Sequence, residues 1–300
     1  MKHAIHGVHC AAATPVTADG QPDLPLFAAH CRALLDEGCH GLALLGTTGE
    51  ANSFGLHQRM ALVEAAAGAV PADTLLPGTA APSVADTVEL TRHAMDTGAK
   101  GVVLLPPYYY KDVTDEGLFR HVARVVEGVG RPDLRVVLYH IPKVTMIPFG
   151  HDLIDRLMTA FPGVVCGIKD SSGDLGNMQA MCERFPDLGV LAGADPMMLP
   201  VLRMGGAGCI TATSNLIADA LRETWDGWND PARAAEIEAT QDRINAWRDL
   251  TFRYVQLPAV KTMLARTRGD DGWLRPMPPL VELPEAQRRD IWDEMARLGR

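Results

Sequence analysis

The chain has 300 residues, 47 % of them hydrophobic and 22 % charged. This is a globular composition with apolar mass for a large core, and it excludes a disordered polar chain. The length suits about one and a half to two average domains, or one large domain with an appendage. A net charge of −9 with no long Lys/Arg run argues against nucleic acid or an anionic membrane as partner. No apolar stretch reaches the roughly 18 residues a membrane-spanning helix needs.

At the N-terminus, Lys2 is followed by His3, His6 and His9 rather than by an unbroken apolar region. A cleavable signal peptide is therefore a poor reading, and the expected location is the cytoplasm. Those histidines with Cys10 could suggest a metal cluster, but spacing by three sends alternate side chains to opposite faces of a strand. They are read as a partly exposed N-terminal strand, and no metal is expected.

From there a short β-branched or leucine-rich run alternates with a longer amphipathic segment. The candidate strands are 8–12, 41–45, 74–78, 101–105, 135–139, 164–169, 189–192 and 208–212. Between them, apolar residues recur at helical spacing, as in Leu26, Ala29, Ala33 and Leu34 before Gly38, or Val84, Val88, Thr91 and Met95 before Gly98. Gly38 and Gly98 are natural helix stops. Ser83 is an expected N-cap; Thr114 is another, with Gly117 in place of a capping Glu. Cysteines 10, 31, 39, 166, 182 and 209 form no CxxC pair and are expected to be reduced and mostly buried.

Eight strands of near-continuous hydrophobicity, each followed by a helix, predict a closed (β/α)8 TIM barrel of the α/β class, covered on both sides. The alternative, an open doubly wound sheet, lacks a G-x-G-x-x-G after its first strand. Past the eighth strand the pattern is helical only, around 215–229, 231–254, 258–268 and 285–298, and this tail holds all five tryptophans, 225, 228, 247, 273 and 292. The organisation read from this is a catalytic barrel over 1–224 and a C-terminal helical subdomain over 225–300. The tryptophans are expected to pin the subdomain to the barrel.

Barrel active sites form where strands end and βα-loops begin. Lys169 ends the sixth predicted strand, and a lysine at an apolar mouth must be neutral, paired or reactive. A desolvated amine can attack a carbonyl to form a Schiff base; Asp170 next door offers an ion pair instead, and the sequence leaves both open. Tyr139 ends the fifth strand, one βα unit earlier, as a proton carrier or as a rim tyrosine. GlyThrThrGlyGlu (46–50) has the glycines, amides and hydroxyls of an anion-binding turn but not the Lys-Ser/Thr of a P-loop, which favours a carboxylate guest. ProProTyrTyrTyrLys (106–111) puts three phenols at the same mouth, either to close a pocket or to pack on a partner. No G-x-S-x-G, H-E-x-x-H or paired-cysteine zinc pattern is present.

Taken in register, AlaAlaAlaThrProVal (11–16), GlyThrThrGlyGlu, ProTyrTyr (107–109), TyrHisIlePro (139–142), GlyIleLysAspSerSerGlyAsp (167–174), GlyGlyAlaGlyCysIleThr (205–211) and LeuProAlaValLys (257–261) resemble the dihydrodipicolinate synthase and N-acetylneuraminate lyase superfamily of pyruvate-dependent class I aldolases. The resemblance implies a barrel with a C-terminal helical subdomain, assembled as a homotetramer or homodimer, that needs no cofactor and acts on a small-molecule 2-oxo acid. It implies that Lys169 is the Schiff-base lysine and Tyr139 the proton-transfer residue. Thr47 and Thr48 would hold the 2-oxo acid carboxylate, with Thr48 also bridging a proton relay. Tyr109 would reach into a neighbouring subunit and complete that relay, and the Ile210 carbonyl would lie near bound pyruvate.

The chain departs from the synthase pattern at Val144, where synthases carry an arginine for the carboxylate of the aldehyde substrate, and at His140, where they carry asparagine. Losing a charge-assisted contact of that kind costs about 1.5–3 kcal/mol. Retro-aldol cleavage or dehydration of another 2-oxo acid is therefore expected. The alternatives are dihydrodipicolinate synthase itself, condensing pyruvate with aspartate semialdehyde, and a non-catalytic 2-oxo acid binding protein.

Overall fold

The computed structural model describes residues 3–299, so Lys2 of the N-terminal reading, with Met1 and Arg300, lies outside the described residues. Seven strands, β1 (Gly7–Ala11), β2 (Gly41–Ala43), β3 (Val102–Leu104), β4 (Val136–His140), β5 (Val165–Asp170), β6 (Gly189–Ala192) and β7 (Gly208–Thr211), form one parallel sheet in the order β2-β1-β7-β6-β5-β4-β3. The remaining predicted strand, 74–78, lies between the two ends of that sheet. Leu42 bridges Leu75 and Gly78 bridges Val103, both in parallel sense, and the circle closes as an eight-stave barrel. This stave is no regular strand because Pro77 has no N–H to give to a ladder. Its carbonyl still accepts from Val103 N–H at 2.9 Å, and Gly78 N–H reaches the Leu44 carbonyl at 2.7 Å. The buried Arg59 guanidinium adds bonds to the carbonyls of Gly78 and Ala80 at 2.9 and 3.1 Å.

Helices α1 (Leu24–Asp36), α2 (Leu56–Ala67), α3 (Val84–Asp96), α4 (Asp115–Val129), α5 (Pro142–Thr145), α6 (His151–Ala160), α7 (Leu175–Arg184), α8 (Met198–Arg203) and α9 (Ser214–Gly227) follow the staves. The C-terminal region is helical as expected: α10 (Ala234–Thr251), α11 (Gln256–Arg268) and α12 (Glu285–Arg297). The predicted punctuation is in place. Ser83 Oγ accepts from Asp86 N–H at 3.0 Å and Thr114 Oγ1 from Gly117 N–H at 3.1 Å. Gly38 and Gly98 stop α1 and α3 at φ of +114° and +89°, the left-handed region open to glycine. On α1 the predicted stripe is rotated. The helix buries Phe27, His30, Cys31 and Leu34, while Ala29 is exposed and Leu26 and Ala33 are half-buried. The bulkier Phe27 and His30 offer more surface to bury than Ala29.

Two apolar clusters explain why the strands read as continuous runs. The outer one, with Val8, Leu42, Leu104, Leu138 and Ile168, fills the space between strands and helices. The inner one, with Ala11, Val103, Val137, Tyr139, Cys166 and Ile210, fills the barrel. Trp273 ties the tail to this body, fully buried and meeting the His30 ring edge-on at 4.7 Å, while Trp247 is buried and Trp292 Nε1 donates to the Thr262 carbonyl at 3.0 Å within the tail. All six cysteines are free, and all but Cys182 are buried. His6 and His9 each bond a backbone carbonyl, those of His3 and His6, at 2.8 and 2.9 Å. No helix among the described residues is long and apolar enough to cross a membrane.

Burial pulls the imidazoles of His9 and His30 from 6.5 down to about 3, so both fold neutral, whereas in the unfolded chain they take up protons below their ordinary value. Stability is therefore full above pH ~6.5 and falls as the pH drops from there toward 3, by up to about 1.4 kcal/mol per pH unit for each imidazole. Urea unfolding at pH 7 and pH 5 will show this loss, and His30→Gln will make the dependence shallower.

Candidate active site

The site begins with a register shift. Val136 pairs with Val165, but Val137 pairs with Gly167, so Cys166 is an extra residue in β5. Side chains alternate faces along a strand, and one inserted residue reverses every face beyond it. After the shift Lys169 stands opposite Tyr139, on the inner face that Tyr139 shares with Val137. Lys169 is 5 % exposed, and its Nζ lies 4.1 Å from the centre of the Tyr139 ring.

The ion pair that the sequence left open is not formed. Asp170, on the opposite face, accepts from Ser172 N–H and Asn177 Nδ2, both at 2.7 Å, and among the described residues no carboxylate pairs with Lys169. Burial opposes ionisation of the Tyr139 phenol. The Lys169 ammonium and hydrogen bonds with Thr47, Ser171 and Lys169 outweigh it, and the phenol lies below the ordinary tyrosine range.

Above this pair opens a cavity of about 240 Å³ whose wall includes Thr47, Glu50, Tyr108, Lys111, Tyr139 and Val144. Lys169 is packed on the Tyr139 ring rather than in the cavity wall. The expected residues are thus partly brought together. Thr47, not Thr48, is the hydroxyl that meets Tyr139, and Thr48 stands outside the cavity lining, half-buried. Ile210 is fully buried in the inner cluster with Tyr139. Tyr109 is 71 % exposed and rests edge-on against Tyr110 at 5.3 Å; Tyr108 lines the cavity instead, its hydroxyl donating to Asn52 Oδ1 at 2.9 Å. Val144 lines the cavity, whereas Lys143 beside it turns its Nζ toward Gly173. His140 points away from the barrel interior, and its Nδ1 accepts from Phe149 N–H at 3.1 Å.

Three contributors had no assigned role in the sequence. Ser171 bonds Tyr139 and packs over Gly193, where even a Cβ would come within 2.0 Å of its Oγ. Glu50 and Lys261, each side chain 1 % exposed, form a buried ion pair. Lys261 Nζ also donates to the Arg275 carbonyl at 2.8 Å, and Glu50 Oε2 accepts from Met277 N–H at 2.6 Å. Burial pulls the Lys261 ammonium down, and the Glu50 carboxylate opposes that shift. Leu45 and Glu50 bracket the Gly46–Gly49 turn at φ of +54° and +53°, conformations that cost about 1–3 kcal/mol each in non-glycine residues and persist only where surroundings enforce them. Glu50 is held there from α11 and the segment after it.

Fold and site together define a parallel α/β barrel with a lysine and a tyrosine buried side by side at the C-terminal ends of its strands. The match to known proteins is equally direct. The model of the dihydrodipicolinate synthetase family covers residues 4–295, and the chain belongs to that family. It is 32 % identical over 262 residues to a DapA-like lyase of Chloroflexus aurantiacus, covering 87 % of this chain and 86 % of the relative. It superposes on dihydrodipicolinate synthase of Agrobacterium tumefaciens with a TM-score of 0.88 at 31 % identity, covering 98 % of this chain and 100 % of the other. For the Escherichia coli family member YagE, solved in complex with pyruvate, the TM-score is 0.90 at 26 % identity, with 98 % of each chain covered.

Removing one member of a buried ion pair leaves the other charge without compensation. Lys261→Met will lower unfolding stability by about 3–5 kcal/mol, read from chemical denaturation, whereas breaking the exposed pair of Arg120 and Glu116 will leave it nearly unchanged.

Proposed function

We propose that this protein is a class I aldolase in which Lys169 forms a Schiff base with a 2-oxo acid such as pyruvate. The observation that carries the reading is the Lys169 amine, buried without a carboxylate partner and 4.1 Å from the ring of a phenol that ionises unusually easily. The amine attacks the C2 carbonyl carbon, Tyr139 moves protons between nitrogen and oxygen, and water leaves to give an iminium. In cleavage, Tyr139 takes the proton of the hydroxyl on the scissile carbon. The carbon–carbon bond breaks, an aldehyde leaves, and the electron pair enters the iminium to give an enamine. Protonation and hydrolysis then release the 2-oxo acid and restore the amine.

Thr47 orients the Tyr139 phenol, and the amides of the 46–49 turn offer donors to the substrate carboxylate. Family relatives act as synthases, but Val144 offers no cation to a carboxylate-bearing aldehyde, which disfavours condensation with aspartate semialdehyde. A binding protein without catalysis has no use for the lysine and phenol so arranged.

The exposed Tyr109 and Tyr110 suit a second copy of the chain, with Tyr109 completing the partner's site in a dimer or tetramer. The 225–300 region acts as a helical clamp on the barrel, through Lys261 above all.

Incubation with pyruvate and borohydride, followed by peptide mapping, will place a reduced adduct on Lys169, and Lys169→Ala will abolish both adduct and turnover. Absence of the adduct in folded protein overturns the reading for pyruvate. Tyr139→Phe will lower kcat by roughly 10²–10⁴-fold, the range for a lost proton-transfer group, with the fold retained by circular dichroism.

A further inference from the structure

Several polar side chains of the cavity wall already hold partners inside the protein. Lys111, the one cation among its lining residues, donates to the Tyr108 carbonyl and, at 2.9 Å, to the Thr145 carbonyl. Glu50 is held by Lys261 and Met277, and the Tyr108 hydroxyl by Asn52. Thr145 Oγ1 donates among the carbonyls of Ile141 and Ile147, both at 3.1 Å, and accepts from Ile147 N–H at 3.2 Å. Apart from the Tyr139 phenol, Thr47, Asn52 and Ser53, the side chains left facing the space are apolar: Val103, Leu105, Ile141, Val144, Leu257 and Leu280. A charged or many-hydroxyl group placed against those six side chains would lose water without gaining partners, an expensive exchange, while an apolar group gains by leaving water. At about 240 Å³ the cavity lies below the roughly 300–1,000 Å³ of drug-sized sites, so the guest is small.

We infer that the part of the substrate beyond the pyruvyl unit is apolar, a single aromatic ring or a branched alkyl chain, held by that wall rather than by a charge. This rests on the Schiff-base reading above. In the condensing direction, C3 of the pyruvyl enamine on Lys169 bonds to the carbonyl carbon of an aryl or branched alkyl aldehyde. The carbonyl π pair becomes an alkoxide that takes its proton from Tyr139, and water hydrolyses the iminium to free a 4-hydroxy-2-oxo acid and the amine.

The test uses two readouts on the intact protein. Borohydride trapping with pyruvate alone reports the Schiff base. Initial rates with pyruvate and benzaldehyde, isobutyraldehyde, glyceraldehyde or aspartate semialdehyde report the second site. The expected result is an adduct together with kcat/KM at least tenfold higher for the two apolar aldehydes. Val144→Arg, an exposed position that accepts the larger side chain, will lower that preference at least tenfold, chiefly through KM for benzaldehyde. An adduct with the charged or hydroxylated aldehyde preferred, or with no turnover of any apolar aldehyde, overturns this inference and leaves the Schiff-base reading standing. No adduct overturns both.

Discussion

The site depends on one residue too many in β5. The extra Cys166 between the Val136 and Val137 pairings decides which face of the strand Lys169 occupies. Without it, the ammonium would be driven into the outer apolar layer among the helices, and Ile168 would stand beside Tyr139. With it, the same backbone presents an amine to a phenol inside the barrel while Asp170 turns outward to hold the following loop. Alternation along the strand keeps these two neighbouring, oppositely charged side chains on opposite faces, and the irregularity upstream decides which of them meets Tyr139.

The second element is rigidity brought from afar. Glu50 and Lys261 are 211 positions apart, and their buried pairing anchors the end of the 46–49 turn, where Glu50 itself takes a backbone shape that a non-glycine residue disfavours. The neighbouring contacts of the 275–277 segment, including Arg275 Nε on the Val16 carbonyl at 2.9 Å, extend that hold to the loop after β1. The C-terminal helices therefore do more than cover the barrel. They hold Glu50, which ends the turn whose Thr47 meets Tyr139, so a helix late in the chain buttresses a loop at a strand end.

Much of this architecture is legible in the sequence because parallel strands buried on both faces are nearly continuous apolar runs, and glycine and serine mark the helix ends. Legibility ends where pairing decides. The run at 74–78 looks like any other strand, and only the ladder shows what Pro77 removes. The α1 stripe was shifted because alanine and phenylalanine count alike in a periodicity but not in buried area. Lys169 and Tyr139 could be found from their places at strand ends. The bulge that faces them together could not, since it is a property of two strands at once. The same holds for Glu50 with Lys261, whose attraction has no local signature, and for Thr47 against Thr48, where one residue of turn geometry selects the hydroxyl.

The stave at 75–78 also sets how the barrel yields. Every other junction in the ring is a ladder of two or more pairings, while this one joins its neighbours by a single bridge on each side, with Arg59 bonding the carbonyls that follow Pro77. Gly78 and Ala80 are at the same time part of the cavity wall. The one irregular stave of the ring, held by five backbone bonds and a guanidinium rather than by a ladder, is thus also part of the wall that a guest meets.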